Sequence, residues 1–313
     1  MNLPGMNSQW EQAKKQVTLS KLAGLGMLGV GDVHIIKSLE DADGPRFQEQ
    51  FGPRSSIFST FAQVEDRLRA SAHDYVLVWP KIDASAYAVA VDWTYDFLHV
   101  IGVKQGNTRP YLYQLDMDGD GIEVAGMFIQ GFTASTALYS LQLGTACQGA
   151  YIHDCLILPP LQASATSDVI DAGKRTLYED CVFGQTSSHV PNTIVAQAAG
   201  ALTGRFERCT FLHKAAAITD TFAVMIASSG INVFRDCVFH NANAGTTDMT
   251  LGVTAVATGE AFFDHCSMSG ADIMATTALS YVAPSGCALA VLASDAFNPG
   301  LAVNGAVPIA VDT

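Results

Sequence analysis

The residues best suited to chemistry in this chain are acids set at short, regular spacings. Asp116-Met-Asp118-Gly-Asp120-Gly121 begins like a calcium-binding loop, in which alternate carboxylates converge on one hard cation. The last position of such a loop is a bidentate Glu, and here it is Met127. The expectation is therefore an acidic turn, with Asp116, Asp118 and Asp120 as an incomplete calcium candidate and no other metal or cofactor site. A second set, Asp154, Asp180 and Asp236, stands immediately before three cysteines, with Glu179 and Glu207 close by. Paired carboxylates do general acid–base or nucleophilic work on glycosidic bonds. If the chain is an enzyme, these three aspartates are its catalytic candidates; if it is not, they are solvated corners. His153, His213, His240 and His265 lie near cysteines, but zinc needs four ligands converging in space, and core-facing thiols do not meet corner histidines. No Ser-His-Asp arrangement, glycine-rich phosphate loop or paired-cysteine motif stands out.

The elements that position these residues form an internal repeat. Near copies of one heptapeptide recur: Tyr151-Ile-His-Asp-Cys155-Leu-Ile157, Leu177-Tyr-Glu-Asp-Cys181-Val-Phe183, Arg205-Phe-Glu-Arg-Cys209-Thr-Phe211, Val233-Phe-Arg-Asp-Cys237-Val-Phe239 and Phe262-Phe-Asp-His-Cys266-Ser-Met268. Successive cysteines are 26, 28, 28 and 29 residues apart. A period in the twenties marks a solenoid, whose repeats bury their apolar faces against their neighbours. The residue two after each cysteine shares its face on a strand, but the apolar residue three before it does not. A corner resolves this, and the polar pair before each cysteine predicts a two-residue bend between two strands. Upstream segments rich in Thr, Val, Ile and Ala close on Gly173, Gly200, Gly230, Gly259 and Gly286, as strands closing on turns. No copy shows helical spacing.

This pattern of aromatic, x, polar, Cys, x, Phe resembles the right-handed parallel β-helix of the pectate-lyase-like superfamily. The resemblance covers residues 75–286 and implies an all-β solenoid of about eight or nine coils, roughly 40 Å long at ~4.8 Å per coil. It does not carry the family's activity. The pectate-lyase set of calcium aspartates with an Arg-x-Pro-x-x-Arg segment has no counterpart here, and neither do the polygalacturonase Asn-Thr-Asp, Asp-Asp, His-Gly and Arg-Ile-Lys elements.

Around this core the chain divides into an N-terminal arm or docking segment (residues 1–55), the β-helix (56–290) and a C-terminal closing hairpin or tail (291–313). Residues 8–22 read as a short helix opened by a capping box, and Val33–Ile36 as a strand. Thr60 and Gln63 form a second capping box, and Phe61, Val64, Leu68 and Ala72 follow on one helical face. A capping helix over 60–72 would plug the open end of the solenoid, ahead of a buried first strand at Tyr75–Val78.

With 49% apolar and 15% charged residues among 313, the chain can bury a long core and has few charges left for its surface. A net charge of −13 argues against a nucleic-acid partner. The repeat cysteines point one way along the stack, which suits free thiols in a reducing compartment better than disulfides. Residues 22–31 hold four glycines, so no secretory signal is expected there, and no run is long enough to span a membrane.

The order of an amphipathic helix before a strand also resembles phage virion β-helix proteins. That resemblance, with the missing catalytic motifs, implies a non-enzymatic structural protein of a viral particle. It would be a capsid decoration or cement protein, assembled in the host cytoplasm and bound to the shell through its arm and β-helix surface. Its partners would be the major capsid protein or other virion proteins and further copies of itself, as a homo-oligomer such as a trimer. The alternative is a tailspike-like glycan depolymerase or a glycan-binding adhesin that uses the outer face of the β-helix.

Overall fold

Among the described residues the central coils each make three short strands, which pair in parallel with the equivalent strands of the neighbouring coils. The computed structural model describes residues 31–38, 57–87, 91–131, 138–161, 167–184, 193–197, 203–213, 221–226, 231–241, 249–251, 260–270, 273–275, 281–285 and 288–291. The strands form one long sheet of eleven strands and two sheets of eight. A coil passes from the long sheet (for example Thr176–Glu179) to the second (Val182–Phe183) and then to the third (Thr193–Gln197).

The bend before each cysteine is tighter than the sequence suggests. His153, Glu179, Glu207, Arg235 and Asp264 remain in the long sheet. One residue turns the corner: Asp154, Asp180, Arg208, Asp236 and His265 have φ of 55°, 52°, 51°, 53° and 53°. A single left-handed residue reverses the facing parity that two residues would have left unchanged. The cysteine therefore enters the core beside the apolar residue three positions earlier.

Inside, like residues stack on like. Tyr178, Phe206 and Phe234 stack at 4.9 and 4.8 Å, and Phe183, Phe211 and Phe239 at 5.0 and 4.8 Å, with edge contacts between the two columns. Each buried ring contributes about 1.5–3 kcal/mol of transfer free energy. The six described cysteines are buried. In the ladder, each thiol donates to a carbonyl of the preceding coil, as Cys209 does to Tyr178 O at 3.5 Å. Where the third sheet meets the long one, the core is polar: Gln197 and Asn232 exchange amide hydrogen bonds at 2.7 and 2.9 Å. Gly204 leaves room for that pair, since a Cβ there would lie 2.4 Å from Asn232 Oδ1.

Near the start of the chain two expectations change. The helix runs only over Phe61–Glu65, opened by the Thr60–Gln63 capping box, and the chain then turns through positive φ at Ser71 and His73 before Tyr75–Val78. Phe61 still packs on Tyr87 and Trp93. Tyr75–Val78 is not the first strand: Val33–Ile36, within the segment read as an arm, pairs with it, and Ile57–Phe58 pairs beyond that. The helix expected at 8–22 and the hairpin expected in the tail lie outside the described residues. No helix among the described residues is long and apolar enough to cross a membrane.

The outer faces differ. The second sheet turns Tyr111 and Phe128, stacked at 4.2 Å, and then Leu156, Val182 and Val238 outward. The long sheet turns out charged groups.

Candidate active-site face

The one-residue corner dictates what the long sheet presents. With the residue three before each cysteine inside, those two and four before it must point out. Register aligns them into two columns. One runs Tyr75, His99, Glu123, Tyr151, Leu177 and Arg205. The other runs Leu77, Ile101, Ala125, His153, Glu179, Glu207, Arg235 and Asp264.

Glu123 is the centre of a linked set. It accepts from His99 Nδ1 at 2.5 Å and from His153 Nε2 at 2.9 Å, while His153 Nδ1 reaches Asp154 at 3.0 Å. Burial would raise the Glu123 carboxyl, but the hydrogen bonds from His153 and His99 outweigh it and hold the group down at about 2. The hydrogen bond to Glu123 leads the rise of His153 to about 9, against its burial and with help from Asp154. His153 is thus an imidazolium with both N–H groups engaged, beside a carboxylate ionised at all ordinary pH.

Farther along, Tyr151 donates its hydroxyl to Glu179, which also takes a hydrogen bond from Arg208. Arg208 forks onto Asp180 with two contacts of 2.9 Å. These bonds lower the carboxyls of Glu179 and Asp180 below their usual range. At the other end aromatic rings line the face. Tyr75 stacks on His99 at 4.3 Å, and His73 lies parallel to Phe97 at 4.7 Å. Phe97 is an exposed residue at φ 56° whose ring rests over Gly121, where a Cβ would lie 2.6 Å away.

Register places two of the sequence-nominated acids, Asp154 and Asp180, at equivalent corners of adjacent coils, and the third, Asp236, two coils beyond Asp180. Asp154 is paired with His153, Asp180 is held by Arg208, and Asp236 is an exposed corner one coil beyond Arg208. Asp118 and Asp120 accept the backbone N–H groups of Ala146 and Gln148 at 3.1 and 2.9 Å, so they brace the next coil. Asp116 takes the Gln114 amide and the Tyr139 hydroxyl. Among the described residues no group of three or more His, Cys, Asp or Glu side chains could hold a metal ion. Sequence reasoning missed His99, Glu123 and Tyr151. The 24-residue interval from His99 to Glu123 matches that from Gly102 to Gly126 and was the available signal.

No family model matches the chain. No curated protein sequence matches it either. Solved structures do. Pectin methylesterase PemA from Erwinia chrysanthemi is 12% identical with a TM-score of 0.56, over 89% of this chain and 94% of that one. A pectin methylesterase variant in complex with a hexasaccharide is 12% identical with a TM-score of 0.53, over 84% and 92%. A further pectin methylesterase–hexasaccharide complex gives 13% and 0.53 over the same shares. These matches correct the expectation of a non-enzymatic capsid protein: the structures that share the architecture over most of both chains are carbohydrate-processing enzymes. The resemblance to phage virion proteins finds no support among them. The chain has the pectate-lyase-like right-handed parallel β-helix fold, in common with the pectin methylesterases.

Proposed function

We propose that this chain is a carbohydrate-active enzyme that hydrolyses ester substituents on a polysaccharide lying along the outer face of the long sheet. The observation that carries this reading is the linked series His99, Glu123, His153, Asp154, with Tyr151, Glu179 and Arg208 beyond it, on consecutive coils of that face. From Tyr75 to the coil of Arg208 there are five coil steps. At ~4.8 Å each the stripe is roughly 24 Å long, a shape that suits a linear polymer and exceeds a small ligand. The neighbours with the same fold are pectin methylesterases, two of them bound to hexasaccharides.

Protonation states favour ester hydrolysis over glycosidic cleavage. A glycosidase needs a carboxylic acid kept protonated to donate to the leaving oxygen. On this face Glu123, Glu179 and Asp180 are all held ionised. The carboxyls that burial raises, Asp168 and Asp171, are inside the core. Charge favours the same choice. A chain at −13 repels a polyanion, so an esterified stretch of a polyuronate binds better than the acid it becomes, and the product is expelled.

The test is incubation of the purified chain with methyl-esterified and acetylated polygalacturonans. Released methanol or acetate, with no new reducing ends, supports the reading. New reducing ends or unsaturated products overturn it in favour of a depolymerase, and retention on the glycan with no bond broken overturns it in favour of a binding module.

A further inference from the structure

We infer that His99 is the general base of this site and that Glu123 positions it; the inference rests on the ester-hydrolysis reading above. An ionised carboxylate can only accept, so the Nδ1 that lies 2.5 Å from Glu123 carries the proton. In the neutral ring the lone pair is then on Nε2. That atom is shielded from solvent and has no hydrogen-bond partner among the described residues. Buried polar atoms are almost always satisfied, and an orphan in a cluster of acid–base groups marks a place for a ligand atom. The other candidate bases on the face are engaged. Both nitrogens of His153 meet carboxylates, and Glu179 and Asp180 are held by Tyr151 and Arg208. A base oriented through its far nitrogen by a carboxylate is the arrangement hydrolytic sites use to fix tautomer and direction.

The surroundings fit the role. Tyr75 covers one face of the His99 ring, and His73 lies 5.8 Å from it in a near-parallel plane. His73 is exposed and sits at φ 53°, on a corner outside the sheet. The titratable groups around His99 are His73 and Tyr75 on the side of the preceding coil, and Glu123, His153 and Asp154 beyond. In the reaction, Nε2 takes a proton from water as the water oxygen bonds to the ester carbonyl carbon. The bond from that carbon to the alcohol oxygen then breaks, and Nε2–H returns the proton to the leaving alkoxide. Ester and water become acid and alcohol with no redox change.

The experiment compares wild type, His99→Gln, His99→Ala and Glu123→Asp on methyl-esterified polygalacturonan, with glycan retention and thermal unfolding measured in parallel. His99→Gln is expected to lower kcat by roughly 10²–10⁴-fold with KM and retention little changed. Added imidazole is expected to restore part of the loss in His99→Ala, which a merely structural role would not allow. Glu123→Asp is expected to keep more activity than either His99 variant. Proton–nitrogen correlation NMR of wild type should find the neutral His99 ring protonated at Nδ1 and bare at Nε2. Wild-type turnover with His99→Gln equally active, or His99 protonated at Nε2 alone, overturns the proposal and leaves the esterase reading standing. Wild type inactive on every ester overturns the esterase reading itself.

Discussion

The two faces of the long sheet are built from the same strands and obey different rules. Along the inner column Tyr178, Phe206 and Phe234 are nearly interchangeable, because each must fill the same volume against its neighbours at stacking distance. Along the outer column Tyr75, His99, Glu123, Tyr151, Leu177 and Arg205 share no property. Packing enforces repetition; where repetition stops while the backbone continues, something other than packing has chosen the residues. In a solenoid the non-repeating column is therefore where to look for chemistry.

Four measurements break or sharpen this contrast. Phe206→Ala removes one inner ring between two others and is expected to cost about 3–5 kcal/mol in urea unfolding. A loss no larger than that of Tyr151→Phe on the outer face would erase the distinction. Next is the buried acid Asp171, raised to about 6 because burial outweighs its bonds from Gly173, Tyr178 and Thr176. The folded state holds that proton more tightly than the unfolded chain, so stability falls as pH rises from 3.8 through about 6. Asp171→Asn should flatten a decline worth roughly 2–3 kcal/mol across that window. Asp168, raised further by its own burial, keeps its effect at higher pH.

On the outer face Glu123 has the opposite dependence, while His153 falls in the same direction at higher pH. His153, raised from 6.5 to about 9, stabilises fully below 6.5 and loses that contribution as pH climbs through 9. Glu123, lowered from 4.5 to about 2, stabilises above 4.5 and loses it as pH falls toward 2. Their joint plateau lies between 4.5 and 6.5. Glu123→Gln should return His153 toward its ordinary titration, followed by NMR, and cost about 1–2 kcal/mol at neutral pH. The smallest effect is expected at Asp236→Asn, within about 0.5 kcal/mol and with turnover unchanged, since this exposed corner lies outside the linked series.

The fold was legible because the inner columns are written repeatedly: Cys155 to Cys266 and the aromatics beside them state the coil, its period and its core. The face was much less legible. Placing a two-residue bend before each cysteine moved His153, Glu179, Glu207, Arg235 and Asp264 from the sheet to the corner, and with them the idea of where acids could meet. His99 and Glu123 each occur once, in coils whose cysteine position is not Cys (Met127 in the coil of Glu123), so the cysteine repeat did not point to them. Asp116, Asp118 and Asp120 drew attention by spacing, while their oxygens serve backbone and neighbouring polar groups. A motif records which residues are near in sequence; register decided which were near in space.

The one-residue corner has a consequence for how such a chain can change length. Between the apolar residue three before each repeat cysteine and the residue two after it, the five copies never gain or lose a residue, yet the coils differ by up to three residues overall. An insertion at the corner would turn every following side chain of that strand inside out. Length variation is confined to the loops that link the second and third sheets and the third back to the long one. The working face stays metrically constant while the far side of the rod is free to grow, so the loops are where this molecule can be remodelled without moving His99 relative to Glu123.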